Sequence, residues 1–249
     1  MVQLQRVVIQ PSQWAQNEIM LTADQQHYLQ RVLRLGVGDR FIALDGRGHG
    51  WLAELAAGAI AHPLEEIAAQ TELGITVTLI LALPKTGLDE VVRQTTELGV
   101  STIQPVISDR TLLRPSAQKL DRWQRIATEA AEQSERPIVP TVRPPVSLMA
   151  GLTWAQQQTA AHYICVARTD APHLLTGLMQ DASITVAIGP EGGWTQAEVE
   201  RAIALTYRPV SLGRRILRAV TAPTVAMALI ASRAEAACGE DFSDGNYFG

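Results

Sequence analysis

Residues 183–222 read SITVAIGPEGGWTQAEVERAIALTYRPVSLGRRILRAVTA, and their punctuation decides the architecture. An apolar run, Ile184 to Ile188, predicts a strand that empties into the loop Gly189-Pro190-Glu191-Gly192-Gly193. A helix is expected directly afterwards. Thr195 and Glu198 stand at capping-box spacing, and Trp194 and Val199 at the spacing of a hydrophobic staple. Val210 to Leu212 predicts a second, short strand, ending in another glycine turn, Gly213-Arg214-Arg215. Two glycine-bearing loops at the ends of buried strands make a concave, backbone-lined pocket, and strand ends are where open α/β sheets bind ligands. The plainer reading is a tight strand-to-helix turn with no ligand. The loop is neither a phosphate P-loop, since no Lys-Ser or Lys-Thr follows it, nor a GxGxxG dinucleotide site. Glu191 favours a neutral or cationic ligand over an anionic one.

Outward from this stretch the pattern is α/β from Ile75 onward. Ile75 to Leu83 is nearly continuous apolar sequence, as for a strand covered on both faces. A helix is expected from about 88 to 98, a strand over Thr102–Ile107 and a two-faced helix from about 117 to 134. On that helix Leu120, Trp123, Ala127, Ala130 and Ala131 share one side, and Arg122, Arg125, Glu129, Glu132 and Arg136 the other. The prolines at 137, 140, 144 and 145 predict a loop or crossover over 136–147, followed by a strand over Tyr163–Ala167. The last helix, about 224–237 with Pro223 in its first turn, is apolar nearly all round, which asks for core or a partner subunit against it. The polar tail 239–249 is expected to be mobile.

Residues up to about 60 read as a separate β-rich module. Short strands are expected at Val7–Ile9 and Ile19–Leu21, and a capping box at Thr22 and Gln25 opens a helix. A hairpin, Arg40–Leu44 with Gly50–Leu55, turns at Asp45-Gly46-Arg47-Gly48, and together these suggest a small barrel. The segment 61–74 carries few strand signals. The boundary is placed there, dividing the chain into 1–73 and 74–249, although the segment could equally supply the last piece of the barrel.

Composition narrows the class. The chain has 249 residues, 47% of them hydrophobic and 18% charged, as in ordinary soluble globular proteins. No run approaches the roughly 18 uncharged apolar residues of a membrane span. The N-terminus lacks a secretory apolar core, so a cytoplasmic location is expected. Cys165 and Cys238 form no CxxC, and the five histidines have no ligand spacing, so no metal is expected. A net charge of −4 leaves RNA binding to local patches, such as Arg208, Arg214, Arg215 and Arg218 or Arg31, Arg34, Arg40 and Arg47.

Several segments carry a resemblance. Gly189 to Gly193, Ser211-Leu212-Gly213, Arg215-Ile216-Leu217-Arg218 and Thr221-Ala222-Pro223 resemble the cofactor signature of the SPOUT-class RNA methyltransferases. Leu83-Pro84-Lys85 with Thr96-Glu97-Leu98-Gly99-Val100, and Ala130-Ala131-Glu132-Gln133-Ser134 with Arg136, narrow it to the RsmE family, which methylates N3 of a uridine in small-subunit ribosomal RNA. The resemblance spans nearly the whole chain in the same order. It implies a trefoil-knotted SPOUT α/β domain with a mainly parallel sheet, preceded by a small PUA-like β-barrel that helps hold RNA. It implies S-adenosyl-L-methionine bound by Leu83, Ile188, Gly189, Pro190, Glu191, Gly192, Gly193, Leu212, Gly213, Ile216, Leu217 and Arg218, with the loop near Arg168 alongside. Arg218, Arg136 and Lys85, in that order, are the candidates for the cation that assists methylation. Arg31, Arg34, Arg110, Arg125, Arg214 and Arg215 are the candidates for RNA contact. The partners implied are small-subunit ribosomal RNA or the assembled subunit, and a second copy of the chain through the final helix.

One position departs from the family pattern. Val220 stands where an acidic residue is expected, which leaves the general base unassigned, with Glu191 or Glu132 as substitutes. Two other readings stay open at this point. One is an RNA-binding homologue that has lost catalysis, and the other a SPOUT enzyme with a different target, such as a transfer RNA ribose.

Overall fold

A computed structural model describes residues 4–15, 17–68, 71–112, 116–178 and 183–238. The expected mobile tail, 239–249, lies outside the described residues. The chain divides into two compact units, Met1–Glu72 with Thr128–Val139, and Leu73–Ala127 with Pro140–Gly249.

In the first unit, strands Arg6–Val8 (β1), Trp14–Ala15 (β2), Glu18–Met20 (β3), Arg40–Leu44 (β4), Gly50–Leu55 (β5) and Ile60–Ile67 (β6) form one sheet in the order β1-β4-β5-β6-β3-β2. Only the β1–β4 pair is parallel. The sheet curls as a half-barrel around Ile9, Ile19, Leu29, Phe41 and Leu55, all buried. The β4–β5 hairpin falls where the alternation and the glycine turn put it. Helix Ala23–His27 (α1) opens on the Thr22–Gln25 capping box and runs on as a π-helical turn over Tyr28–Val32. Arg34 then takes the left-handed conformation (φ 61°), and the Leu35 N–H closes the end on the Leu29 carbonyl.

β6 is the strand whose composition conceals it. Only Ala61 of its eight residues is buried, with no alternation between faces, and Pro63 interrupts it. Pro63 sits where the register with β5 shifts, between Leu52 and Ala53, so the missing N–H falls at an irregularity in the ladder.

The second unit holds Thr76–Ala82 (β7), helix Leu88–Glu97 (α2), Thr102–Ile107 (β8), helix Ala117–Gln133 (α3), Thr141–Val142 (β9), Val146–Ser147 (β10), helix Leu148–Gln156 (α4), Ala161–Cys165 (β11), the short helix Leu174–Gly177 (α5), Ser183–Ile188 (β12), helix Gln196–Ala204 (α6), Arg208–Val210 (β13) and helix Thr221–Cys238 (α7). Its sheet is parallel throughout, in the order β10-β8-β7-β12-β11-β13 with β9 beside β8. The central strands β7 and β12 are buried along almost their whole length, which is why they read as unbroken apolar runs.

Three of the expected boundaries move for a physical reason that the structure shows. The crossover 136–147 contains β9 and β10, two-residue strands too short to leave a periodic signal. β11 begins at Ala161 because His162, a polar residue, is buried in it, with Nε2 on the Ala155 carbonyl (3.0 Å) and its ring against Tyr207. β13 lies two residues earlier than expected. It is an edge strand, where Pro209 is tolerated.

The cut in sequence is also less simple than two consecutive segments. α3 starts in the second unit, but Thr128–Val139 belongs to the first. Its carboxylates and Arg136 explain this. The Val8 N–H donates to Glu132 Oε1 (2.6 Å), Arg6 pairs with Glu135 (2.6 Å), and the Arg136 guanidinium forks onto Glu72.

Candidate active site

β12, β11 and β13 are parallel neighbours, so the loops after them leave from one edge of the sheet. They close around a cavity of about 500 Å³. Gly189 to Gly193 form one wall, Leu212, Gly213 and Arg215 to Leu217 a second, and Cys165 to Thr169 a third. Of the residues expected to hold the cofactor, all but Leu83 and Arg218 line it. Leu83 is buried at the end of β7, with its N–H on the Val106 carbonyl (3.0 Å). The Arg218 side chain is exposed, and its carbonyl receives the Thr221 and Ala222 N–H groups (2.9 and 3.0 Å) at the start of α7.

The first wall is locked from behind. Gly193 closes a turn on the Pro190 carbonyl (2.8 Å) with φ at 70°, a conformation that a Cβ penalises, and a Cβ built there meets nothing within 4 Å. Thr195 caps α6 through the Glu198 N–H, and the Glu198 side chain returns to the Thr195 N–H (2.7 Å) and also accepts from the Asp109 N–H (2.8 Å). Trp194 lies against Gly189 and donates its indole N–H to the Cys165 carbonyl (3.1 Å), tying the first wall to the third. The staple partners Trp194 and Val199 pack on one apolar cluster with Ile164, Ala187 and Tyr207.

Charge is distributed unevenly around the opening. Arg110, Arg168 and Arg215 supply cations and Glu191 a carboxylate. Arg110, one of the expected RNA contacts, crosses Gly192 and donates Nη1 to its carbonyl (2.6 Å), which places it in the cavity wall. Arg168 holds φ at 59°, a strained backbone for an arginine, of the kind found at functional loops. The exposed Glu191 accepts the Lys85 N–H on Oε1 (2.9 Å), joining the loop after β7 to the loop after β12. Burial pushes the Cys165 thiol up to about 12, so it stays protonated in the wall.

The remaining expected residues are placed as follows. Arg136 is 2% exposed in the first unit, held by Glu72 at 2.7 Å (Nη2–Oε2) and 3.1 Å (Nε–Oε1), while Glu72 also accepts the Ile138 N–H (3.3 Å). Its sequence context suggested a reacting group, whereas its surroundings are those of a structural ion pair. Lys85, Arg125 and Arg214 are exposed in the second unit, and Arg31 and Arg34 in the first. Val220 is half-buried with Cγ1 over Gly87, 2.9 Å from where a Cβ would stand. Glu132 is mostly buried. Desolvation raises its pKa to about 7 against the opposing Val8 hydrogen bond. The walls contributed by Trp194 and Val166 were not foreseen as site residues. Trp194 read only as a staple, and nothing in Val166 distinguishes it from core.

Residues 71–231 match the RNA methyltransferase domain family, and residues 21–59 the RNA methyltransferase PUA domain family. The chain is 49% identical over 231 residues to the ribosomal RNA small subunit methyltransferase E of Synechocystis sp., covering 90% of this chain and 76% of that protein. It is 30% identical over 233 residues to the protein of the same name from Bacillus subtilis, covering 86% and 90%. A crystal structure of ribosomal RNA small subunit methyltransferase E from Neisseria gonorrhoeae bound to S-adenosyl methionine superposes with a TM-score of 0.81 at 31% identity, over 92% of this chain and 98% of that one. With a curled PUA-like sheet, a parallel SPOUT sheet and these relatives, the chain belongs to the ribosomal RNA small subunit methyltransferase E family of RNA methyltransferases.

Proposed function

We propose that this protein transfers a methyl group from S-adenosylmethionine to N3 of a uridine in small-subunit (16S) ribosomal RNA. The observation that carries the reading is the single cavity on which three parallel-strand loops converge, in a chain of this family. Its residues fit the donor. About 500 Å³ is within the usual range for a small-molecule site, the Ile188 and Leu217 side chains offer apolar walls, and Gly193 leaves the main chain open to close approach. Among the described residues Glu191 provides the one carboxylate in the lining, suited to a ligand that bears cationic ammonium and sulfonium groups. Backbone groups near Leu212, Ile216 and Leu217 would hold the adenine.

When bound, the donor supplies an electrophilic methyl on a sulfonium. The chain's own contribution is positioning and charge. N3 of uridine carries a proton and lies on the pairing edge, so the base must be unpaired or extruded. As its proton leaves, negative charge grows on O2 and O4, and an exposed cation beside the cavity stabilises it. Arg218 is the first choice and Lys85 the second. Arg136 drops behind them because Glu72 already engages its guanidinium. Glu191 is the carboxylate placed to orient the Lys85 loop, and the group that takes the proton stays unassigned because Val220 offers none. Arg31, Arg34, Arg125, Arg214 and Arg215 supply phosphate contacts to the RNA. The same reading includes the trefoil knot, a domain division at 73/74 with Thr128–Val139 returning to the first unit, a homodimer through α7 and a cytoplasmic location.

Mass spectrometry of nucleosides from small-subunit ribosomal RNA tests the reaction. A deletion strain should lack one 3-methyluridine, and the purified protein with S-adenosylmethionine should restore it. An unchanged nucleoside profile would count against the reading. Loss of a ribose methylation instead would point to the other SPOUT target class, and calorimetry without cofactor heat would identify a non-catalytic RNA binder.

A further inference from the structure

The first unit contains a concave site that methyl transfer does not use. Trp14 on β2 and Trp51 on β5 meet edge to face, with ring centroids 4.8 Å apart, and both indoles are only half-buried. They border a cleft of about 300 Å³ that Leu64, Glu65 and Glu66 of β6 complete. The register irregularity in the β5–β6 ladder gives the cleft its chemistry. Pro63 pairs with Ala53 and Glu65 with Leu52, so Leu64 is the extra residue and is 48% exposed. Past this bulge Glu66 stands directly opposite Trp51.

The cleft is thus aromatic and acidic. No Lys or Arg lines it, and among the described residues neither Glu65 nor Glu66 takes part in a salt bridge. The nearby imidazole is His49, whose ring lies 6.1 Å from that of Trp51 and whose Nδ1 is held by Asp45 at 2.9 Å. Indole faces attract cations, and the Glu66 carboxylate across from Trp51, with Glu65 beside it in the lining, adds to that attraction while repelling phosphate. A guanidinium satisfies both features at once, because its plane stacks on an indole while its N–H fork reaches a carboxylate.

We propose that this cleft is a docking site for an arginine side chain in a basic segment of a protein partner. The proposal is independent of the methyl-transfer reading. The test uses the full chain, uniformly 15N-labelled, at 0.15 M salt, with the indole N–H signals assigned by single Trp substitutions. It is titrated with an arginine-rich heptapeptide and with the glutamine analogue of that peptide. The Trp14 and Trp51 signals should shift saturably with the arginine peptide alone. Trp51→Leu should weaken binding roughly threefold to thirtyfold. The charge-only variant Glu65→Gln/Glu66→Gln should weaken it while leaving the amide spectrum native. Unmoved indoles, or unchanged affinity in the charge-only variant, would overturn the proposal. So would stronger shifts from a uridine-rich oligonucleotide, which would make the cleft a base-stacking site.

Discussion

Replacing Gly193 separates the cost of a backbone conformation from the cost of occupying the cavity. At φ 70° a residue with a Cβ sits in the left-handed region, at roughly 1–2 kcal/mol relative to glycine. For a chain of this length, that lowers Tm by about 2–8 °C. The same built Cβ meets no protein atom within 4 Å, although Gly193 lines the cavity, so the added methyl projects into space rather than into core. If that space holds the methyl donor, Gly193→Ala overpacks it at about 1–3 kcal/mol, roughly five- to 150-fold in affinity for S-adenosylmethionine. Gly58 provides the control. It has φ 82°, likewise nothing within 4 Å of a built Cβ, and a place in the first unit. Gly58→Ala should match the thermal loss and bind the donor normally. Gly193→Asn should recover much of the stability, since Asn tolerates the left-handed region, yet bind still more weakly than Ala. Calorimetric titration and thermal melts on the four proteins decide it. Wild-type affinity in both Gly193 variants would refute the placement of the donor.

Three further perturbations test other parts of the account. Glu191→Ala removes the acceptor of the Lys85 N–H, so exchange of that amide should accelerate at least several-fold, and kcat should fall more than donor affinity, as hydrogen–deuterium exchange and steady-state kinetics would report. Glu72→Ala takes one carboxylate partner from Arg136, which is 2% exposed, and should cost about 3 kcal/mol in urea unfolding, the low end for a broken buried pair because Glu72 is itself a quarter exposed. Glu132 binds its proton more tightly folded (about 7) than unfolded (4.5), so its stabilising contribution is full below about pH 4.5 and is lost as pH rises through about 7. Glu132→Gln should flatten that fall and be more stable than wild type at pH 8, on the order of 1 kcal/mol or more, by urea titration at pH 5 and pH 8.

Most of the second unit was legible because its central strands are buried on both faces and helix α6 opens on a capping box. Ile184–Ile188 and Thr195–Glu198 announced themselves through composition and spacing alone. The hairpin of the first unit was equally plain. What stayed hidden was structure whose signal is tertiary. β6 has a single buried residue and is bulged at Pro63, His162 is polar yet buried, and β9 and β10 are too short for any period. In the site, the glycine loops could be read, but the wall behind them could not. Arg110 and Trp194 enter it through contacts with Gly192 and Cys165, residues 82 and 29 positions away in sequence. Arg136 shows the reverse case: a motif suggested chemistry, and the partner that neutralises it, Glu72, lies 64 residues upstream. The assignment of Thr128–Val139 to the first unit has the same origin, since Glu132, Glu135 and Arg136 find their partners far along the chain.

The central claim is tested most directly by a crystal structure of the protein with S-adenosylhomocysteine. The account predicts density between the Gly189–Gly193 loop and the Leu212–Leu217 loop, with the adenine against the backbone of the second loop. Density elsewhere on the protein, or a cavity filled only by solvent at saturating ligand, would contradict it.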